Sequence, residues 1–248
     1  MRNGNCKNQH TLIVGCFFLL LVLLLPIKRG NAAGTASDSI ALGDSLTGNQ
    51  TRISKEGAFK LGFFNLNNNN VNKWYVGIWY ATVSQQTIAW VANREQPLQN
   101  ASGVFNLTED GSLLLSYGES IFWSSKGNRK KPSSAVITDS GNLVVLSARN
   151  PSEVIWQSFD HPGNTWLPGM KVSKSQTLTS WSSPWDPSPG PFSLQMDPDG
   201  SDQYVLLWKK RNKYWESGTW NGQIFSEIPE MKQSFIYNFS FFKTEISS

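Results

Sequence analysis

Ile88-Ala89-Trp90, Ile121-Phe122-Trp123 and Val154-Ile155-Trp156 are three short apolar runs, each closing on a tryptophan 33 residues after the last. β-Branched and aromatic side chains suit a pleated, half-buried surface, so each run reads as a strand. A second series interleaves with the first: Lys55-Glu56-Gly57-Ala58-Phe59-Lys60-Leu61, Glu109-Asp110-Gly111-Ser112-Leu113-Leu114-Leu115 and Asp139-Ser140-Gly141-Asn142-Leu143-Val144-Val145. Each places a polar turn and a glycine before an apolar strand. One unit, turn-Gly-strand then strand-Trp, therefore occurs three times. Strands are predicted at 58–64, 75–80, 87–92, 104–107, 113–116, 121–124, 135–138, 143–146 and 154–157, with the Asn-rich run 67–70 as a loop. A period near 33 also fits ankyrin-type repeats, but no segment carries their helical pattern. Three equivalent units predict an all-β fold of three sheets around a pseudo-threefold axis. Trp90, Trp123 and Trp156 are its expected structural core.

The net charge of +4 is concentrated at the start of the chain. Arg2, Lys7, Lys28 and Arg29 lie in the first 33 residues, which contain no acid, and basic and acidic residues balance in the rest. Nucleic acid as a partner has no electrostatic support. Residues 1–33 read as a secretory signal peptide, with Arg2 and Lys7 ahead of a nearly unbroken apolar run and small residues after it. An uncleaved signal anchor is the alternative, and contact with membrane is expected only in that case. Both cysteines, Cys6 and Cys16, fall in this leader. The remainder therefore has no disulfide, Cys-zinc site or thiol nucleophile. Four N-x-S/T sequons, at Asn49, Asn100, Asn106 and Asn238, suit a secreted route. Asn49 and Asn100 sit in turn-like contexts, and Asn106 alternates with Phe105 and Leu107 as an outward residue of a strand.

Several motifs stand in a familiar order: Trp90-Val91-Ala92-Asn93-Arg94 with Pro97-Leu98, Asp139-Ser140-Gly141-Asn142-Leu143-Val144, Trp156-Gln157-Ser158-Phe159-Asp160-His161-Pro162 and Leu167-Pro168-Gly169-Met170. They resemble the extracellular region of plant S-receptor-like kinases and S-locus glycoproteins. The resemblance implies a bulb-type (G-type) lectin domain, a β-prism II, over 37–157. It also implies an incomplete S-locus glycoprotein-like domain, a second lectin-like β unit, over 158–248. Further implied are extracellular localisation in the apoplast, and truncation before the EGF, PAN, transmembrane and kinase regions of the full-length, plasma-membrane relatives. Trp215-Glu216-Ser217-Gly218-Thr219-Trp220-Asn221-Gly222 carries the second resemblance, with Thr219 where the family commonly has Pro.

Bulb-type lectins hold mannose on a Q-x-D-x-N-x-V-x-Y strand. This sequence offers Thr108, Asp110, Ser112, Leu114 and Ser116 in one unit and Thr138, Ser140, Asn142, Val144 and Leu146 in another. The first unit offers Ser54, Glu56, Ala58, Lys60 and Gly62. Asp110, Ser112, Asn142 and Val144 are the degenerate carbohydrate-binding candidates. A site built on hydrogen bonds loses discrimination when donors are missing, so little mannose affinity is expected. Asp110 and Asn142 are instead expected to make side-chain turns beside Gly111 and Gly141.

In the second half, Pro and Gly punctuate 160–190, and strands are predicted at 192–196, 204–208, 214–216 and 235–242. Asp197-Pro198-Asp199-Gly200 reads as a hairpin turn rather than a calcium loop. The basic clusters Lys126, Arg129, Lys130, Lys131 and Lys209, Lys210, Arg211, Lys213 read as solvated hairpin tips, with contact to acidic polysaccharide as the alternative. No catalytic residue, metal site or cofactor is expected. His161, the only histidine beyond the leader, belongs to a turn. The expected partner is a protein or glycoprotein ligand, with a related receptor ectodomain among the candidates, in pollen or defence recognition. Weak mannose binding and a truncated product without function are the alternatives.

Overall fold

The computed structural model describes residues 37–68, 71–127, 129–233 and 239–241. Residues 1–33, read above as a signal peptide, and Asn238 lie outside them. Three four-stranded antiparallel sheets carry the threefold repeat. The first joins β3 (Thr51–Ile53), β4 (Phe59–Asn68), β5 (Val71–Tyr80) and β6 (Ile88–Val91). The second joins β2 (Ser45–Thr47), β7 (Val104–Leu107), β8 (Leu113–Tyr117) and β9 (Ser120–Ser124). The third joins β1 (Ser39–Ala41), β10 (Pro132–Ile137), β11 (Leu143–Ser147) and β12 (Val154–Gln157).

Each sheet ends on the strand that carries its tryptophan. Trp90 pairs with Ile78, Trp123 with Leu115 and Trp156 with Val145. In all three sheets the register slips immediately after that partner. The repeat is thus written in the backbone as well as in the side chains, because a bulge recurs at the same place in each sheet and bends the strand there. The three indoles meet there. Ring centroids are 5.9 Å apart for Trp90–Trp123 and 6.2 Å apart for the other two pairs. All three contacts are edge-on, the arrangement that aromatic quadrupoles favour. Trp90 and Trp156 are buried, while Trp123 is half-buried. This is a β-prism.

The opening strands β1, β2 and β3 lie outside the strands predicted from pattern. Residues 39–53 visit the third, second and first sheets in turn, adding one strand to each. Ile40 and Leu46 are fully buried by this passage. The segment therefore staples the three units together, and each sequence repeat supplies only three of its sheet's four strands.

The strands β4 and β5 also run further than expected, pairing in unbroken register from Phe59–Tyr80 out to Asn68–Val71. Residues 67 and 68, assigned to a loop by composition, continue the ladder because each strand of the hairpin templates the other. Both faces of this sheet are apolar for a reason. Leu61, Phe63, Val76 and Ile78 face the prism core, whereas Phe64, Tyr75, Trp79 and Val91 pack on the other side with Trp181.

Trp181 belongs to a fourth sheet of β13 (Leu178–Ser183), β14 (Asp186–Met196), β15 (Tyr204–Trp208) and β16 (Asn212–Glu216). β13 and the first half of β14 lie where proline and glycine suggested turns. The three prolines at 187, 189 and 191 are tolerated because β13 and β14 pair through two register shifts, which excuse missing donors. The predicted hairpin turn at 197–200 is present, closed by the Gly200 N–H on Asp197 O at 3.1 Å. Of the strand predicted at 235–242, only 239–241 lie among the described residues, and they are not in a strand. Arg94, at the end of the Trp90 motif, spans to the fourth sheet. It donates to the backbone oxygens of Pro187, Thr179 and Ser180 at 2.6, 3.2 and 3.0 Å. A Lys73–Asp186 ion pair at 2.9 Å lies alongside.

The three turn glycines all hold left-handed φ: Gly57 at 78°, Gly111 at 82° and Gly141 at 81°. Their surroundings differ. A Cβ on Gly57 meets nothing within 4 Å, but on Gly141 it falls 2.8 Å from Phe59 and 2.9 Å from Leu167. Gly57→Ala is expected to cost about 1 kcal/mol from φ strain alone, and Gly141→Ala about 2–4 kcal/mol with overpacking added. Urea unfolding of the two variants checks this; equal losses mean that packing at Gly141 relaxes freely.

Candidate carbohydrate-recognition site

The three turns that lead into the candidate strands share one hydrogen-bond pattern. Thr108 N–H bonds Ser112 O and Gly111 N–H bonds Thr108 O; Thr138, Asn142 and Gly141 repeat this. In the first unit Ser54, Phe59 and Gly57 do the same with one residue more in the loop. That extra residue displaces the polar positions of the first unit. Ser54 is buried, and its hydroxyl oxygen accepts the N–H groups of Ala58 and Phe59, both at 3.0 Å.

In the second unit the exposed Asp110 carboxylate takes three hydrogen bonds inside its own turn. It accepts from the Thr108 hydroxyl at 2.6 Å, and from the Ser112 N–H and hydroxyl, each at 3.1 Å. These donors, the Thr108 hydroxyl foremost, hold its pKa below the usual carboxylate range. The Ser112 hydroxyl also accepts the Gly127 N–H at 2.8 Å. A Cβ on Gly127 falls 2.6 Å from Asp110 O and from Ser112 Oγ, so only glycine lets the loop after β9 close over this turn.

In the third unit Asn142 makes no local turn, contrary to the reading from sequence. It is buried and reaches across to the segment after β12. Its amide donates to Gln157 Oε1 at 2.9 Å, and its oxygen accepts from the Ser158 hydroxyl at 3.1 Å and the Phe159 N–H at 3.2 Å. Gln157 in turn donates to Asp160 at 2.9 Å. Val144, the apolar sugar-contact candidate, is 8% exposed. The bonds made by Asn142 fix a short 3-10 turn, Ser158–Asp160, and so position His161. The His161 ring stacks on Trp156 at 5.5 Å and 13°, while its backbone oxygen accepts the Trp90 indole N–H at 2.9 Å. His161 is thus a cover for the tryptophan ring.

Two residues that sequence reasoning passed over complete this frame. Ser125 and Ser158 each stand two positions after a repeat tryptophan. Their hydroxyls accept the N–H of Leu113 at 2.8 Å and of Leu143 at 3.0 Å. The repeat arithmetic alone contained that signal. Of the sequons, Asn49 and Asn100 are exposed, and Asn100 Oδ1 accepts the Ser102 N–H at 2.9 Å. Asn106 sits between β2 and β8, opposite Ser45 and Leu114. Among the described residues no helix is long and apolar enough to cross a membrane.

The D-mannose binding lectin family model matches residues 87–185. A G-type lectin S-receptor-like serine/threonine-protein kinase of Arabidopsis thaliana is 44% identical over 230 residues, covering 86% of this chain and 27% of its own. The receptor-like serine/threonine-protein kinase SD1-8 of the same plant is 34% identical over 246 residues, covering 93% of this chain and 28% of its own. The chain therefore spans about a quarter of the length of these relatives. Among solved structures, a monomeric mannose-binding lectin from Gastrodia elata covers 49% of this chain and 96% of its own, at a TM-score of 0.38 and 18% identity. That superposition is too loose to add to the fold seen directly. With three tryptophan-closed sheets on one axis and close relatives along nearly its whole length, the chain belongs, by its lectin region, to the G-type lectin S-receptor-like kinases.

Proposed function

We propose that this chain is a secreted, non-catalytic recognition ectodomain whose ligand is a protein or glycoprotein, acting in cell recognition of the pollen or defence type. A lectin-type recognition role follows from the family; the ligand class is our reading. One observation supports it above others. The polar groups at the mannose positions are already hydrogen-bonded within the fold, Asp110 and Ser112 in their own turn and Asn142 to Gln157, Ser158 and Phe159. A sugar hydroxyl has to compete with the donors already on Asp110 and has to displace the partners of the buried Asn142, so little net affinity is expected. We further propose that 37–157 and 158–248 act as two domains, the prism and the unit built on the fourth sheet, and that Asn49 and Asn100 carry glycans.

A glycan array probed with the purified chain is expected to show no mannose signal above background. A pulldown from plant extract is expected to retain its protein partner in the presence of excess mannose. A clear mannose signal that disappears in Asp110→Ala or Asn142→Ala overturns this reading in favour of a mannose lectin.

A further inference from the structure

On the fourth sheet, Phe192 of β14, Trp208 of β15 and Tyr214 of β16 line one depression of about 290 Å³ with Asn212 and Lys213. Phe192 and Tyr214 meet edge to face at 5.3 Å. Trp208 is 40% exposed and Tyr214 69% exposed, so two broad rings at one depression face solvent. Large aromatics in such a position are not needed for the core beneath, which is made by Tyr204, Phe225, Leu178 and Val172.

The turn joining β15 to β16 bears three consecutive exposed cations, Lys209, Lys210 and Arg211. It closes through the Arg211 N–H on Trp208 O at 3.3 Å, with φ of 51° at Lys209 and 58° at Lys210. Such a turn strongly prefers Asn-Gly, because both central residues need left-handed φ. Lysine at both positions is the harder choice for the backbone. Strain kept in this way points to a use for the side chains. The Lys209 ammonium lies 4.4 Å from the centre of the Trp208 ring, which ties the charge to the aromatic surface. Lys213 is different: Glu216, Asp197 and Asp199 hold it at 3.2, 3.5 and 3.6 Å, so it adds its stem rather than its charge.

We propose that this corner of the fourth sheet is a binding site for a carboxylate-bearing oligosaccharide. A pyranose ring lies against Trp208 and Tyr214, whose flat apolar faces match its C–H face, and Asn212 offers an amide to its hydroxyls. The uronate carboxylates meet Lys209, Lys210 and Arg211 in charge-assisted hydrogen bonds. The combination selects the ligand class. A neutral sugar leaves three cations unused, and a chain of acidic residues alone has no ring to lay on the aromatics.

The test is a binding titration of the purified chain with a de-esterified oligogalacturonate, its methyl-esterified form of equal length, and poly-glutamate. Binding to the free-acid sugar is expected, weakening as salt rises, with the ester and the polypeptide each about tenfold weaker or worse. The double variant Lys209→Asn/Lys210→Gly installs the preferred turn, so it is expected to melt no lower than the parent while losing about tenfold in affinity. Tyr214→Ala is expected to remove the preference for sugar over poly-glutamate. No binding of the free acid, equal binding of the ester, or undiminished binding by the double variant overturns the proposal. Equal binding of poly-glutamate overturns it in favour of an acidic protein partner. Asp110 is an exposed residue of a prism turn, so Asp110→Ala leaves this binding unchanged, and the two readings fail separately.

Discussion

Trp90→Ala is expected to destabilise the fold by about 3–5 kcal/mol, the usual range for removing a buried tryptophan. The indole touches both other rings of the axis, at 5.9 and 6.2 Å, and its N–H is bonded to His161 O. Its loss opens a cavity shared by three sheets and frees the segment that covers Trp156. The two remaining indoles are carried on separate edge strands, which limits how far they can close the space. Trp123→Ala is expected to cost less, since Trp123 is only half-buried. Urea unfolding followed by far-UV circular dichroism measures both. If Trp90→Ala unfolds at the parent midpoint, the axis is not what holds the prism together.

Arg94→Ala is expected to cost about 2–3 kcal/mol, as hydrogen bonds from a charged donor are lost together. The guanidinium serves three backbone carbonyls of β13 and β14, and burial lowers its pKa, partly offset by Glu95. The alanine variant withdraws a charged donor from all three oxygens at once, beside Trp181. The effect should concentrate on the fourth sheet. Hydrogen exchange of amides in 178–191 is expected to accelerate while amides around Trp90 stay protected. Arg94→Lys is expected to rescue little, because an ammonium lacks the planar fork that reaches three acceptors. Full protection in the lysine variant would show that charge alone suffices, and the bridging role assigned to Arg94 would be wrong.

The candidate sugar positions show how far a motif carries. Asp110 does make the side-chain turn expected beside Gly111. Asn142, at the matching place beside Gly141, does not. The difference lies in the residues just after the next tryptophan: Ser125 and Lys126 in one unit, Ser158 and a 3-10 turn in the other. A residue 15 to 17 positions away decides the partner of Asn142, and a local reading has no access to it.

The sequence by itself determined the threefold repeat, the strand that closes each sheet and the ring of tryptophans. All of these come from side-chain type at fixed spacing, and the 33-residue period repeats that spacing three times. Its turn glycines were equally legible, because left-handed φ excludes most other residues. Only the tertiary structure decided the rest. The strands β1, β2 and β3 have three residues each, too few to show an alternation, and they become strands because three separate sheets offer them open edges. β14 is a strand despite three prolines because β13 pairs with it around the missing donors. The hydrogen-bond partners of Asp110, Ser112 and Asn142 were also decided there, since they depend on how each turn closes and on where the segments after β9 and β12 pass.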